Sequence, residues 1–160
     1  MTLPREIEEK IRDLIGFDEP RKEPALRRDF FELADAFQRR DPYEDRYSAA
    51  YLAYNFPSNL MKVISVMNEI GSFQPRAFPD RDRYDVLDIG SGEGGGMFGF
   101  FFARNGISKS EFSLRGIEGS LKMLDKCRVF AGHLASRHNN LRVSLTRRRL
   151  TPVLEREIEG

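Results

Sequence analysis

The sequence contains a single cysteine, Cys127. An intrachain disulfide and a zinc site built on cysteines are therefore both excluded. No apolar run approaches the ~20 residues that a membrane-spanning helix needs, and the opening "MTLPREIEEK" lacks the apolar core of a secretory signal. Charge of one sign is also missing. Lys and Arg number 26 against 25 acids, so the chain as a whole is not a basic nucleic-acid binder. There is no G-K-[ST], which excludes a P-loop, and no serine within G-x-S-x-G, which excludes a nucleophile elbow. Tryptophan is absent, so the 13 phenylalanines must supply the bulk of a core. What is left is a chain of one-domain size with ordinary composition. It is expected to be soluble and cytoplasmic, or in the mitochondrial matrix if its source is eukaryotic.

The first 80 residues read as a helical segment. Leu3, Ile7, Ile11 and Leu14 recur at helical spacing with charges between them, and "GFDEPRKEP" (16–24) reads as a linker. Leu26, Phe30, Leu33 and Phe37 mark a second amphipathic helix. Ser48 is placed to cap a short helix through "AAYLAYN". "FPSNLMKVISVMNEI" follows, with Pro57 in its first turn and Leu60, Ile64 and Met67 on one face. "GSFQPRAFPDRDR" (71–83) is the best boundary in the chain, dividing residues 1–80 from 81–150, with 151–160 as a tail.

Beyond that boundary the period changes. "YDVLDIG" is short, apolar and β-favouring, and predicts a buried strand. A helix is expected from the following glycines to Asn105-Gly106. "FSLRGIEG" predicts a second strand ending at Glu118. Ser120 is the expected N-cap of the helix "LKMLDKCRVFAGHLA", with Leu121, Leu124, Ala131 and Leu134 on one side. "LRVSL" alternates as a third strand, and "TPVLEREIEG" reads as a last short helix. The order β-α-β-α-β specifies an α/β fold with a parallel sheet and right-handed crossovers, Rossmann-like but partial.

The chemistry concentrates where the first strand meets its helix. Asp88, Gly90, Gly92 and Gly94 form D-x-G-x-G-x-G, a turn whose backbone can approach a ligand that a Cβ would exclude. Glu118, ending the next strand, borders the same crevice, and a carboxylate there suits the vicinal hydroxyls of a ribose. The candidate cofactor-binding set is Asp88, Gly90, Ser91, Gly92, Glu93, Gly94, Glu118 and Gly119. Gly90, Gly92 and Gly95 also satisfy G-x-G-x-x-G, the dinucleotide fingerprint. A carboxylate just before the loop repels a pyrophosphate and attracts an ammonium, which favours S-adenosylmethionine over a nicotinamide or flavin cofactor. The bland alternative is a glycine-rich turn with no ligand. His133 and His138, five apart, do not share a helical face and read as surface residues; Cys127 and Phe98, Phe100, Phe101 and Phe102 read as core.

"VLDIGSGEG" resembles motif I of the class I S-adenosylmethionine-dependent methyltransferases, and "LRGIEGSLKMLDKCRVFAGHLA" resembles the segment that follows it. Upstream, "YSAAYLAYNFPSNLMKVISVMNEI" and the "LP" helix are similar to the methyltransferase-like proteins of the small ribosomal subunit, bacterial and mitochondrial. The resemblance spans roughly residues 1 to 135. It implies that Asp88 faces the methionine end of the cofactor, that Gly90 to Gly94 line the loop, and that Glu118 binds the ribose. It also implies small-subunit RNA or an assembling subunit as partner, cytoplasmic translation as setting, and methyl transfer as the reaction of a complete member.

The chain departs from that pattern. After Leu145 only 15 residues remain, room for no more than three strands, and Cys127 alone cannot reproduce the family's later cysteine cluster. The expectation is an N-terminal half without a recognisable catalytic residue, with an open sheet edge at the first strand that a second copy or a partner chain would cover. The competing expectation is a non-catalytic assembly or RNA-binding factor that keeps the pocket as a relic. Eight basic residues against the single acid Asp125 between Leu121 and Leu150 fit either a solvated face or phosphate contacts. "DPY" (41–43) reads as a turn rather than a shortened D-P-P-Y motif.

Overall fold

A computed structural model describes residues 2–16, 22–40, 45–74, 78–79, 81–107 and 109–148. Helix α1 spans Arg5–Ile15 and ends on Gly16 in the left-handed conformation, with Ile7, Ile11 and Ile15 buried, whereas Leu14, expected on the same face, is 38% exposed. Helix α2 runs Lys22–Arg39 and so begins inside the expected linker. Pro24 causes no break there, because a first-turn residue needs no intrahelical N–H bond. The stretches 41–44 and 149–160, with the "DPY" turn and the last expected helix, lie outside the described residues.

A nearly unbroken helical run follows: a 3-10 turn Asp45–Tyr47, helix α3 Ser48–Ala50, a π-helical turn Tyr51–Asn55 and helix α4 Phe56–Phe73. Ser48 is not its cap. The N-cap position falls to Tyr47, without a side-chain hydrogen bond. Pro57 does sit in the first turn of α4, and Leu60 and Ile64 are buried on one face.

Strand β1 (Arg83–Ile89), helix α5 (Gly95–Asn105), strand β2 (Glu111–Glu118), helix α6 (Leu121–Ala135) and strand β3 (Leu141–Arg147) form the expected β-α-β-α-β unit. The sheet is parallel throughout, in the order β1-β2-β3, with Val86 opposite Leu114 and Leu114 opposite Val143. This is a partial Rossmann-like α/β fold. The two crossovers advance in one direction, so right-handedness puts both helices on the same face. Phe112 and Leu114 are buried against them, whereas Leu87 and Ile89 are 50% and 38% exposed. The expected burial of the first strand therefore fails. Among the described residues β1 pairs only with β2, and the sheet face turned away from the helices has no cover.

The core is continuous from Ile7 through Phe56, Phe98, Phe101 and Phe130 to Leu141, and Cys127 fills it as an apolar residue. Leu124, Ala131 and Leu134 join it, but Leu121 does not, since the first turn of α6 faces outward. Helix α5 packs unusually close to α4. A Cβ at Gly99 would lie 2.8 Å from both the Leu60 carbonyl oxygen and Val63 Cβ. The histidines are not free surface residues. His138 Nε2 lies 3.0 Å from a Glu6 carboxylate oxygen, and His133 Nε2 lies 3.1 Å from the Glu6 carbonyl oxygen, so both hold α1 to the end of α6.

Candidate functional site

The glycine loop is hung from β2. The N–H groups of Gly90 and Ser91 both donate to the Ile117 carbonyl oxygen, at 2.8 and 3.1 Å, and Gly94 N–H donates to the Ser91 carbonyl at 2.8 Å. Gly90, Gly92 and Gly94 take φ of 71°, 54° and 94°, a region that a Cβ strongly disfavours. Beneath the loop there is no spare room, since a Cβ on Gly94 would lie 2.3 Å from the Phe98 ring. Above Gly90 there is, since a Cβ there meets nothing within 4 Å. Gly92 is buried, and a Cβ on it would meet Met123 Sδ and the Tyr51 hydroxyl, each at 3.8 Å.

Three carboxylates surround this loop, each in a different way. Asp88, at the end of β1, accepts a hydrogen bond from Met97 N–H on Oδ2 at 3.0 Å. It thereby takes one of the free N–H donors in the first turn of α5. Its pKa is nevertheless raised, mainly by burial, with Glu118 adding and the Met97 bond opposing. Glu118 bridges backbone. Its Oε2 accepts from Gly92 N–H at 2.8 Å and its Oε1 from Ser120 N–H at 2.7 Å. Ser120 in turn caps α6, accepting from Met123 N–H.

Glu93 is the extreme case. It is 1% exposed, and its carboxylate pairs with the Lys126 ammonium at 3.5 Å. Burial pushes its pKa up to about 7, with Lys126 pulling the other way. Lys126 also donates to the Ser48 carbonyl oxygen, tying α6 to the upstream helical run. Burial lowers its own pKa. Burial, aided by all three carboxylates, raises the Cys127 thiol to about 12, so it stays protonated and unreactive at neutral pH.

All eight residues of the candidate set thus meet at the carboxyl ends of β1 and β2, where parallel α/β sheets hold their ligands. Sequence reasoning missed Tyr51. The π-helical turn aims its hydroxyl over Gly92, in hydrogen-bond contact with Asn59, and its pKa is raised by burial and by Glu93, Glu118 and Asp88. It also treated Lys126 as one member of a basic stretch rather than as a partner of Glu93. Among the described residues no three His, Cys, Asp or Glu side chains are grouped to hold a metal, and no helix is long and apolar enough to cross a membrane.

No protein-family model matches the chain, and no curated protein does. Among solved structures the chain is similar to the YcgJ protein from Bacillus subtilis, at 19% identity and a TM-score of 0.33. The match covers 59% of this chain and 32% of that one, so the chain spans about a third of the structure it resembles.

Proposed function

We propose that the chain binds S-adenosylmethionine in the open space beside Gly90, as a methyltransferase-like protein associated with the small ribosomal subunit or its RNA. One observation carries the choice of cofactor: the Asp88 carboxylate already occupies the first turn of α5 through Met97 N–H. In dinucleotide-binding folds a pyrophosphate takes that place. Here it would meet a carboxylate instead, whereas the ammonium of a methionine moiety would be attracted. The fit is supported by the open space above Gly90. Glu118 spends one bond per oxygen on backbone N–H groups. The lone pairs that remain are the ones a ribose diol would use.

When bound, S-adenosylmethionine supplies an electrophilic methyl group. The residues of this chain would hold and orient it, and such chemistry runs largely on positioning. The ribosomal association rests on the sequence resemblance of the upstream helices. A non-catalytic assembly factor is the second reading. It is favoured by the eight basic residues against one acid between Leu121 and Leu150.

Calorimetric titration of the whole chain with S-adenosylmethionine, S-adenosylhomocysteine and NAD tests the cofactor. The expected result is binding of at least one adenosyl sulfur compound and none of NAD. Binding of NAD alone would overturn the reading. Photo-crosslinking to small-subunit RNA, at two salt concentrations, tests the partner, because phosphate contacts must weaken with salt.

A further inference from the structure

One side chain of α6, Lys126, touches both the glycine loop and the upstream helical run. Its ammonium lies 3.5 Å from Glu93 Oε1 on the loop side and donates to the Ser48 carbonyl oxygen on the other. The Glu93 side chain is buried and that of Lys126 is 20% exposed, so solvent screens the pair little. A buried carboxylate is costly without a cation beside it, and this fixes where the ammonium sits. The place it holds on the other side is a particular one. The Ser48 carbonyl also accepts from Tyr51 N–H, and the π-helical turn opens at Tyr51. Lys126 therefore grips the chain where the α register gives way to the π register. Beyond that junction the run lies directly on the loop. A Cβ on Gly92 would be 3.8 Å from the Tyr51 hydroxyl, and one on Gly95 would be 3.3 Å from Asn59 Cβ.

From this geometry we infer that Lys126 is a positioning residue that makes the π-helical turn and the glycine loop one conformational unit. What moves or fixes Glu93 is felt at Tyr51, and the reverse. The ion pair supplies the link, because the ammonium cannot leave Glu93 without also leaving the Ser48 carbonyl. Single π-helical turns recur at functional sites, and here the turn is held from the loop side rather than by its own sequence. A ligand that settles against the loop would also order Tyr51, and ordering of the upstream run would tighten the loop for that ligand, since such coupling is reciprocal. This last consequence alone rests on the adenosyl reading above.

The test is amide hydrogen exchange in the whole chain at Tyr51 and Gly94, whose N–H groups donate to the Ser48 and Ser91 carbonyls. Rates are taken relative to the buried Phe101 and Phe130 amides, so that a general loss of stability cancels. Lys126→Met keeps the apolar stem and should speed exchange about tenfold or more at both places, the loss expected for a bond to a charged group. Lys126→Arg keeps the charge and the donors, and should stay within about threefold of wild type. Glu93→Gln alters only the loop. At pH 8, where the wild-type carboxylate is ionised, it should still speed Tyr51 about threefold or more. Acceleration at only one of the two places in Lys126→Met would overturn the inference. So would a Glu93→Gln effect confined to the loop, or a Lys126→Arg variant as fast as Lys126→Met. Saturating S-adenosylmethionine should slow Tyr51 exchange in the wild type and leave it unchanged in Lys126→Met. Binding without that slowing in the wild type would also overturn the coupling. If neither S-adenosylmethionine nor S-adenosylhomocysteine binds, the adenosyl reading fails, and the variants alone decide the role of Lys126.

Discussion

Helices α5 and α6 occupy equivalent places in the β-α-β-α-β unit, yet they begin in opposite ways. Helix α6 is capped by its own Ser120, the residue next to it in sequence. Helix α5 has no capping side chain at Gly94 and takes a carboxylate from Asp88, in the preceding strand. Helix α5 lies so close to α4 that Gly99 has no room for a methyl group, whereas Gly132 of α6 faces open space. A locally specified helix is legible from its own residues. A helix built into a crevice is specified by what surrounds it, and the candidate cofactor site lies at the end of the second kind.

The largest expected effect concerns the charge between the two helices. Glu93 keeps its proton in the folded chain up to about pH 7, whereas in the unfolded chain it ionises near its ordinary value of 4.5. Its contribution to stability is therefore present in full below pH 4.5 and is lost as pH rises through 7. The shift corresponds to at most about 3 kcal/mol. Chemical denaturation at pH 5 and pH 8 should show this loss in the wild type and much less of it in Glu93→Gln. An equal pH dependence in both proteins would remove Glu93 as its source.

Next in size is a pair of glycine substitutions expected to have opposite signs. Gly99→Ala forces a methyl group against the Leu60 carbonyl and Val63, and should cost about 2 kcal/mol. Gly132→Ala, in α6, meets nothing within 4 Å and should stabilise by about 0.5–1 kcal/mol. Denaturant midpoints that move the same way in both variants would break the contrast. The cap exchange is similar in scale but smaller: Asp88→Ala should cost about 1–2 kcal/mol and Ser120→Ala about 1 kcal/mol. Only Asp88→Ala should also impair binding of S-adenosylmethionine.

Much of the second half was legible in the sequence for a physical reason. Helix α6 and the ends of β2 and α5 follow from local signals: a serine cap, alternating apolar residues, and an Asn-Gly stop. The exposure of β1 was not legible, because an apolar run reads the same at a sheet edge as at its centre. The π-helical turn was not legible either; "YLAYN" suits an α-helix equally well, and tertiary packing decides the register. Glu6 with His138, and Tyr51 with the glycine loop, are contacts between residues far apart in sequence, and no spacing rule reveals them. For the site, the sequence carries the glycines and the two strand-end carboxylates. That Asp88 caps α5 and that Glu93 is buried emerge only from the fold.

The proposed cofactor reading holds that the first turn of α5 is closed to phosphate by Asp88 while the space above Gly90 admits an adenosyl sulfonium. Amide resonances from Gly90 to Met97 and at Glu118 report both places at once in a 15N-labelled chain. S-adenosylmethionine should shift the Gly90, Gly92 and Glu118 amides saturably, and pyrophosphate should leave the Met97 amide where it is. A saturable shift of Met97 with pyrophosphate or NAD, with no response to S-adenosylmethionine, would contradict the account.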